Sequence, residues 1–428
     1  MASGRAVTGM LLPSVRNLAS ELGVASGTVA AAYRLLAERG VVDGNRRAGT
    51  RIVGRPSQLA GRGGASVPDG VVDLASGNPS PELLAGLGSA LAGVALATDA
   101  ERPVVYGGPT VLPALETIAE EWFSADRISL GAVTVVGGAM RAVERALQSH
   151  VRPGMRVAVE DPGYPGLLDL VSMLGLVADP IAVDDEGLVP TALASALDRG
   201  CQAVVLTPRA QNPTGAALSP RRAAELAAVL DGRQGVMVVE DDHAGPVSGA
   251  AAVSVAGLLG SDGDRRLIVV RSCAKFLSPD LRVALVSGDP TTVAAVARRE
   301  AVTSGWVSHI LQGVVVEIWS DPVTTEALAE AAVTYGERRD AVVDSLAGVG
   351  LSAHGASGLN VWVPVADEGA VVAGMLERGW AVAPGSRFRV ASPPGVRITI
   401  ATLDATDAPL VATDLASCTG GSGRTRSG

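Results

Sequence analysis

The run Val270-Arg271-Ser272-Cys273-Ala274-Lys275-Phe276-Leu277-Ser278-Pro279-Asp280-Leu281-Arg282 contains the only lysine in 428 residues. Every other long cationic position is an arginine. A guanidinium and an ammonium exchange readily in surface ion pairs. Only the lysine amine loses its proton near neutral pH and attacks an aldehyde carbon, so Lys275 points to imine chemistry. An arginine-biased composition that left one lysine behind is the bland alternative. The segments around Lys275 decide between the two.

Upstream of this run the chain alternates β-rich stretches (Val133 to Val136, Arg156 to Val159, Ala203 to Leu206, Val236 to Val239, Leu267 to Val270) with Ala/Leu-rich helical ones. That alternation predicts an α/β fold with a mostly parallel sheet wrapped by helices, and ligands beyond the strand C-terminal ends. The chemically interesting residues fall at those ends. The first strand runs into Gly137-Gly138-Ala139-Met140, where small residues open a helix N-terminus to an anion, although such turns are also simply tight turns. The third leads to Thr207-Pro208-Arg209-Ala210-Gln211-Asn212-Pro213-Thr214-Gly215 and the fourth to Glu240-Asp241-Asp242-His243. The last delivers Ser272 and Lys275. With Tyr164 in Asp161-Pro162-Gly163-Tyr164-Pro165 and with Arg282, the set offers an amine, a carboxylate, an amide, an anion cradle, a flat ring and a cation. These are the demands of pyridoxal 5'-phosphate chemistry.

The N-terminal end has another character. Residues 1 to 62 hold nine arginines against Glu21, Glu38 and Asp43, a surplus of six positive charges, which leaves the rest at −15 within a net charge of −9. A basic module on an acidic body is the footprint of a nucleic-acid reader. Val15, Leu18, Ala19 and Leu22 share one helical face, and Gly23 stops that helix. Ser26 is placed to cap a second helix, in which Val29, Ala32, Tyr33 and Leu36 repeat the spacing up to Gly40. Val41-Val42 and Arg51-Ile52-Val53, around Gly44 to Gly49, predict a hairpin wing. Thr28 stands where base edges are read, and Arg16, Arg34, Arg46, Arg47 and Arg51 where phosphates are neutralised.

These residues resemble the winged helix-turn-helix of GntR-type regulators, in Leu12 to Ala19, Leu22 to Val24 and Thr28 to Tyr33. Two departures stand out. Ala25-Ser26 replaces the usual Ser-Arg opening of the recognition helix, and only Met1 to Met10 stand where a longer first helix is expected, so the module reads as truncated. Either the chain starts late relative to the gene, or the module leans on the larger domain. From Pro56 to Gly70 a Gly/Ser/Pro/Arg stretch without periodicity reads as a linker. The expected organisation is a reader at 1–55, the linker at 56–70, a body at 71–417 and a disordered tail at 418–428.

The body resembles the fold-type I aminotransferases, and the whole chain is similar to the MocR group of GntR regulators. The segments 207–215, 240–243 and Pro279-Asp280-Leu281-Arg282 look closest to the PtsJ-like members, which are linked to vitamin B6 metabolism. The resemblance implies pyridoxal 5'-phosphate as cofactor and assigns roles. Lys275 would bond the cofactor, Asp241 would hold its pyridine nitrogen, Asn212 would donate to its 3'-oxygen, and Tyr164 would stack on its ring. Ser272, Arg282 and the backbone of Ala139 and Met140 would bind the phosphate. Tyr106, in Val105-Tyr106-Gly107-Gly108-Pro109, would reach a neighbouring subunit's phosphate, which implies a homodimer, and Arg397 would bind a substrate or effector carboxylate. Against the enzymes, His243 stands where a tyrosine touches the 3'-oxygen, although it could supply a hydrogen bond there. Ala274 replaces a phosphate-binding serine, and Val111 and Glu116 replace a Gly and an Arg.

Cys201, Cys273 and Cys418 show neither disulfide parity nor metal-ligand spacing, so no metal site is expected and a reducing, cytoplasmic setting fits. No secretory signal is read at the N-terminus, and the most apolar stretch, Leu83 to Ala97, is short and glycine-broken, so no membrane is expected. Three functions fit: a transcriptional regulator that binds double-stranded operator DNA and senses pyridoxal phosphate or a small amine, a working aminotransferase with an appended reader, and an inert dimerisation scaffold. The regulator is favoured, because a reader on a short linker makes sense only if body geometry reaches the DNA. Turnover is expected to be slow or absent.

Overall fold

A computed structural model describes residues 10–38, 42–45, 49–52, 67–97, 105–233, 235–260 and 264–419. The reader begins with α1 (Val15–Leu22) and α2 (Ser26–Glu38), followed by β1 (Val42–Asn45) and β2 (Gly49–Ile52). Ser14 caps α1 by accepting from the Asn17 N–H at 3.2 Å, and Gly23 ends it with φ +66°, a left-handed conformation that glycine adopts without a Cβ clash. Ser26 is not the cap predicted for the second helix: the helix starts at Ser26 itself, and the Ala25 carbonyl accepts from the Thr28 N–H at 2.9 Å. The wing pairs Val42 with Ile52 in antiparallel register. Leu11 bridges to Arg51 and the Leu12 N–H donates to Thr50 O at 2.8 Å, so the chain ahead of α1 lies along the wing. Ala19, Val29 and Tyr33 form a small core, and the Tyr33 hydroxyl donates to Pro13 O at 2.8 Å.

The body opens with β3 (Val72–Leu74), α3 (Leu87–Ala97) and α4 (Pro113–Ala125). Then β4 (Ala132–Val136), α5 (Ala139–His150), β5 (Arg156–Asp161), α6 (Pro165–Met173), β6 (Val177–Asp184) and β7 (Gly187–Leu188) follow. Next come α7 (Pro190–Asp198), β8 (Cys201–Leu206), α8 (Pro220–Asp231), β9 (Met237–Asp242), α9 (Val255–Leu259), β10 (Arg266–Ser272) and β11 (Ala284–Gly288). Three helices, α10 (Pro290–Thr303), α11 (His309–Ser320) and α12 (Pro322–Gly348), lead to the C-terminal lobe. That lobe holds β12 (Asn360–Pro364), α13 (Glu368–Glu377), β13 (Trp380–Pro384), β14 (Gly395–Thr399) and α14 (Ala408–Thr419).

Among the described residues the large sheet runs β4-β11-β10-β9-β8-β5-β6-β7. The β9, β10, β8, β5 and β6 pairings are parallel, while β11 lies antiparallel between β10 and β4. Side chains alternate between two cores. Val157, Val159, Ala203, Val205, Met237, Val239, Ile268 and Val270 meet α5 on one face, and Ala158, Val204, Leu206, Val238, Leu267 and Val269 join the core on the other. Both faces are covered, which is why these strands read as unbroken apolar runs. The smaller sheet, β12-β14-β13-β3, takes its edge strand from the start of the body.

The final helix departs from the expected tail. Cys418 and Thr419 are helical, and the Cys418 sulfur packs so closely on Gly374 of α13 that a Cβ there would lie 2.7 Å from it. Residues 420–428, and most of the predicted linker, lie outside the described residues. No helix among the described residues is long and apolar enough to cross a membrane, and no group of His, Cys, Asp or Glu among them could hold a metal ion.

Candidate functional site

Strands β4, β5, β8, β9 and β10 end along one edge of the large sheet, and the residues beyond them converge. Lys275 follows β10 in a turn, and its Nζ donates to Gly77 O at 2.5 Å. Burial, and then the charge of Arg397, bring its amine down to about 8. Asp241 is the penultimate residue of β9, on the α5 side with Met237 and Val239. Burial first, then Asp242 and Glu160, push its carboxyl up to about 7, and its Oδ1 is a buried oxygen without a hydrogen-bond partner among the described residues. Such an atom is expensive to leave unsatisfied.

Asp242 leaves the strand on the opposite face, into a buried ion network. Arg209 grips it twice, at 3.0 and 2.8 Å, and Arg271 lies 3.5 Å away. Arg271 in turn is stacked against Trp122 and Phe123 and paired with Asp126 at 2.5 Å. Although burial opposes it, these guanidiniums hold Asp242 below the usual carboxylate range. One strand end therefore supplies a charge that is spoken for and a carboxyl that is not.

At the other end of the site, α5 begins at Ala139 after Gly138, whose φ is +102°. The first-turn N–H groups of a helix lack intrahelical acceptors, so those of Ala139 and Met140 could receive an anion beyond the helix start. The Arg282 guanidinium closes that position: a Cβ on Gly138 would collide with it. Arg282 reaches there with φ +50°, a conformation that a non-glycine residue holds only when its surroundings require it. Ser272, 6% exposed, sits in the same row of the sheet, since Ser272 pairs with Ala284 and Ala284 with Val136. Its Oγ accepts from the Ala274 N–H at 3.2 Å, leaving its own proton to donate.

Arg397, on β14, is 4% exposed and belongs to the same cluster. Its guanidinium donates to Asn212 Oδ1 at 3.2 Å and to Ala75 O, and lies 4.9 Å above the Phe388 ring. Its Nε is buried and has no hydrogen-bond partner among the described residues, and burial, followed by Arg387, brings its pKa down to about 10. Because the Asn212 oxygen is taken by Arg397, the Asn212 amino group is the part left to donate elsewhere. His243 Nε2 lies 2.9 Å from Ala210 O, so that nitrogen carries the proton, and Nδ1, an acceptor, is the one left for another partner. Burial and Lys275 bring His243 down to about 4, which keeps it neutral. Tyr164 precedes α6 and packs on the α5-side core, its ring so close to Gly166 that a Cβ there would come within 2.5 Å.

Tyr106 stands apart: it is 91% exposed and meets the Trp306 ring edge-on at 5.6 Å. In the reader, Arg16, Thr28 and Arg51 are exposed, whereas Val29 and Tyr33 of the same helix as Thr28 are buried. Arg34 is described in its helical backbone only, and Arg46 and Arg47 lie outside the described residues.

Sequence reading missed several participants. Gly77, with φ +71°, passes between Lys275 and Arg397, and a Cβ there would lie 3.1 Å from the guanidinium. Gln211 is fully buried and donates to Glu160 at 3.1 Å and to Pro162 O at 2.9 Å, tying the Asn212 loop to the Tyr164 loop. Its only sequence signal is its place beside Asn212.

Residues 69–415 match the family model "Aminotransferase class I and II", and residues 1–52 match "Bacterial regulatory proteins, gntR family". Over 94% of this chain and 92% of the relative, the sequence is 37% identical to the vitamin B6 salvage pathway transcriptional repressor PtsJ of Salmonella typhimurium. It is 30% identical to the pyridoxine biosynthesis transcriptional regulator PdxR of Corynebacterium glutamicum, over 56% of this chain and 53% of that one. Among solved structures, the fold matches the Pyrococcus horikoshii kynurenine aminotransferase with TM-score 0.73 at 20% identity, covering 83% of this chain and 92% of that one. It also matches the Thermus thermophilus α-aminoadipate aminotransferase LysN, with TM-score 0.71 at 23% identity and coverages of 84% and 96%. The chain thus belongs to the aminotransferase class I and II family and, by joining that body to a GntR-type N-terminal domain, to the MocR-type transcriptional regulators.

Proposed function

We propose that this protein is a cytoplasmic, homodimeric repressor or activator that binds operator DNA through its N-terminal domain and senses pyridoxal 5'-phosphate, or an amine presented to it, in the body. The observation that carries the reading is the buried, unpartnered Oδ1 of Asp241 in the same site as the chain's one lysine. A protonated pyridine nitrogen is the donor that oxygen lacks. The Gly138 cradle with Arg282, the Ser272 hydroxyl and the α5 N-terminus suit a phosphate. The Asn212 amino group suits the 3'-oxygen, and Tyr164 the ring face. When bound, the cofactor supplies an aldehyde carbon for which primary amines compete.

The chain's own residues do the rest. Lys275, with its amine near 8, offers a substantial neutral fraction at physiological pH and releases Gly77 O when it turns to another partner. Asp241, pushed up to about 7 by burial and by Asp242 and Glu160, is about half protonated near neutral pH, and a cationic N–H donor beside it would favour its carboxylate form. Arg397 orients a carboxylate-bearing amine towards Lys275. Its bond to Asn212 means that whatever Arg397 holds is felt at the atom facing the cofactor oxygen. The PtsJ and PdxR relatives make vitamin B6 metabolism the leading setting. Tyr106, so exposed here, supports pairing of two bodies.

The test is a promoter-fragment retardation assay with full-length protein, with and without pyridoxal phosphate, alongside its visible spectrum. A yellow protein whose DNA affinity changes with cofactor supports the reading. The buried Arg397 favours one alternative, a working aminotransferase. Robust steady-state transamination with cofactor-indifferent DNA affinity would put that alternative first.

A further inference from the structure

The last two residues of β5, Glu160 and Asp161, are buried carboxylates at 3% and 5% exposure, and among the described residues neither meets an arginine in an ion pair. Successive strand residues leave on opposite faces, and these two grip different parts of the site. Glu160 accepts from the Thr207 N–H at 2.8 Å, the Thr207 hydroxyl at 2.9 Å and Gln211 Nε2 at 3.1 Å, all on the loop that carries Asn212. Asp161 faces the C-terminal lobe instead. It accepts from the N–H groups of Val390, Ala391 and Ser392 at 2.8, 2.7 and 2.8 Å, and from the Ser392 hydroxyl at 2.9 Å.

Three consecutive N–H groups converging on one anion form a nest, here filled by a side chain reaching over from the large sheet. Two residues on, the Gly163 N–H donates to Phe388 O at 2.7 Å. The stretch 161–163 therefore holds 388–392 at both ends, then continues into Tyr164. Phe388, 2% exposed, is the ring on which the Arg397 guanidinium rests.

We propose that Asp161 is a positioning residue for anion recognition: by docking 388–392 against the end of β5, it sets where Phe388 and Arg397 stand relative to Lys275 and Tyr164. The site then reads the carboxylate and the amine of one ligand together. This rests on the reading of Arg397 as the carboxylate-binding residue. A clamp that merely held the fold together would weaken all amines alike. A positioning residue weakens only those that use Arg397.

The test compares L-alanine with ethylamine, which lacks the carboxylate, as titrants of the visible spectrum of cofactor-loaded full-length protein. Wild type should prefer L-alanine. Asp161→Asn places an amino group against N–H donors and removes the charge, so the preference should fall roughly tenfold, as expected for a lost charge-assisted hydrogen-bond set, with ethylamine changed less than about twofold. A preference retained by Asp161→Asn overturns the proposal while leaving the Arg397 reading intact. A wild type that does not prefer L-alanine overturns both. Should Asp161→Asn fail to take up cofactor, Ser392→Ala, which removes one donor of four, decides: a smaller loss of preference supports the clasp, and an unchanged preference overturns it.

Discussion

The reader and the body use charge in opposite ways. Arg16 and Arg51 stand exposed over a core of three buried side chains, whereas the body buries Arg209, Arg271 and Arg397 and the acidic side chains Glu160, Asp161, Glu240 and Asp242 at the ends of β5 and β9. An exposed guanidinium costs little to keep and contributes through long-range attraction to phosphate. A buried one survives only where named partners surround it, as Asp242 and Asp126 surround Arg271. Substitutions in the reader should therefore have small, salt-sensitive effects, and those among the buried groups of the body should have larger ones.

The sharpest break in that comparison is Lys275→Ala, which should abolish the visible band removable by borohydride while DNA retardation persists. A band that survives would remove the central assignment. Next is pH: because burial and Arg397 bring the Lys275 amine down to about 8, capture of pyridoxal phosphate should speed up about tenfold per unit as pH rises from 6 and level off above about 8. A flat profile in stopped-flow absorbance would argue against a free Lys275 amine as the nucleophile. Asp241→Asn should weaken cofactor binding roughly tenfold to a hundredfold, the scale of one charge-assisted hydrogen bond, as read by equilibrium dialysis.

Effects in the reader should be smaller. Arg16→Ala should weaken DNA binding roughly threefold at low salt and reduce the slope of log affinity against log salt by about one, with the spectrum unchanged. Tyr33→Phe removes the bond to Pro13 O and should cost about 1 kcal/mol of reader stability, seen as earlier loss of helical signal and weaker DNA binding at 37 °C. If Tyr33→Phe also bleached the cofactor band, the two regions would not be as separate as their cores suggest.

Much of the body was legible because its strands are buried on both faces and read as apolar runs. Where strand ends were placed too early, the cause is the same each time. Glu160, Asp161, Asp241, Asp242 and Ser272 were placed beyond the strand ends, yet they continue the ladders as polar residues of the strands themselves. Lys275, Asn212 and Asp241 were legible as motif residues. Gly77 and Asp161 were not, since each acts on a residue about 200 or more positions away, and nothing nearby in the chain signals the contact. In the reader, the period of Val15, Leu18 and Ala19 gave α1, whereas the start of α2 fell one residue earlier than the capping signal at Ser26 implied.

The antiparallel strand β11 has a consequence for synthesis. Its first residue, Ala284, lies beside Val136 on one side and Ser272 on the other, so that end of the site exists only once residues nearly 150 positions apart have paired. Arg397 adds a requirement more than a hundred residues later still. A ribosome carrying this chain will release the GntR-type domain long before any pocket is available to a ligand. During translation, then, the reader comes out ahead of its own control, and a nascent or prematurely ended chain would meet DNA without the part that tells it when to bind.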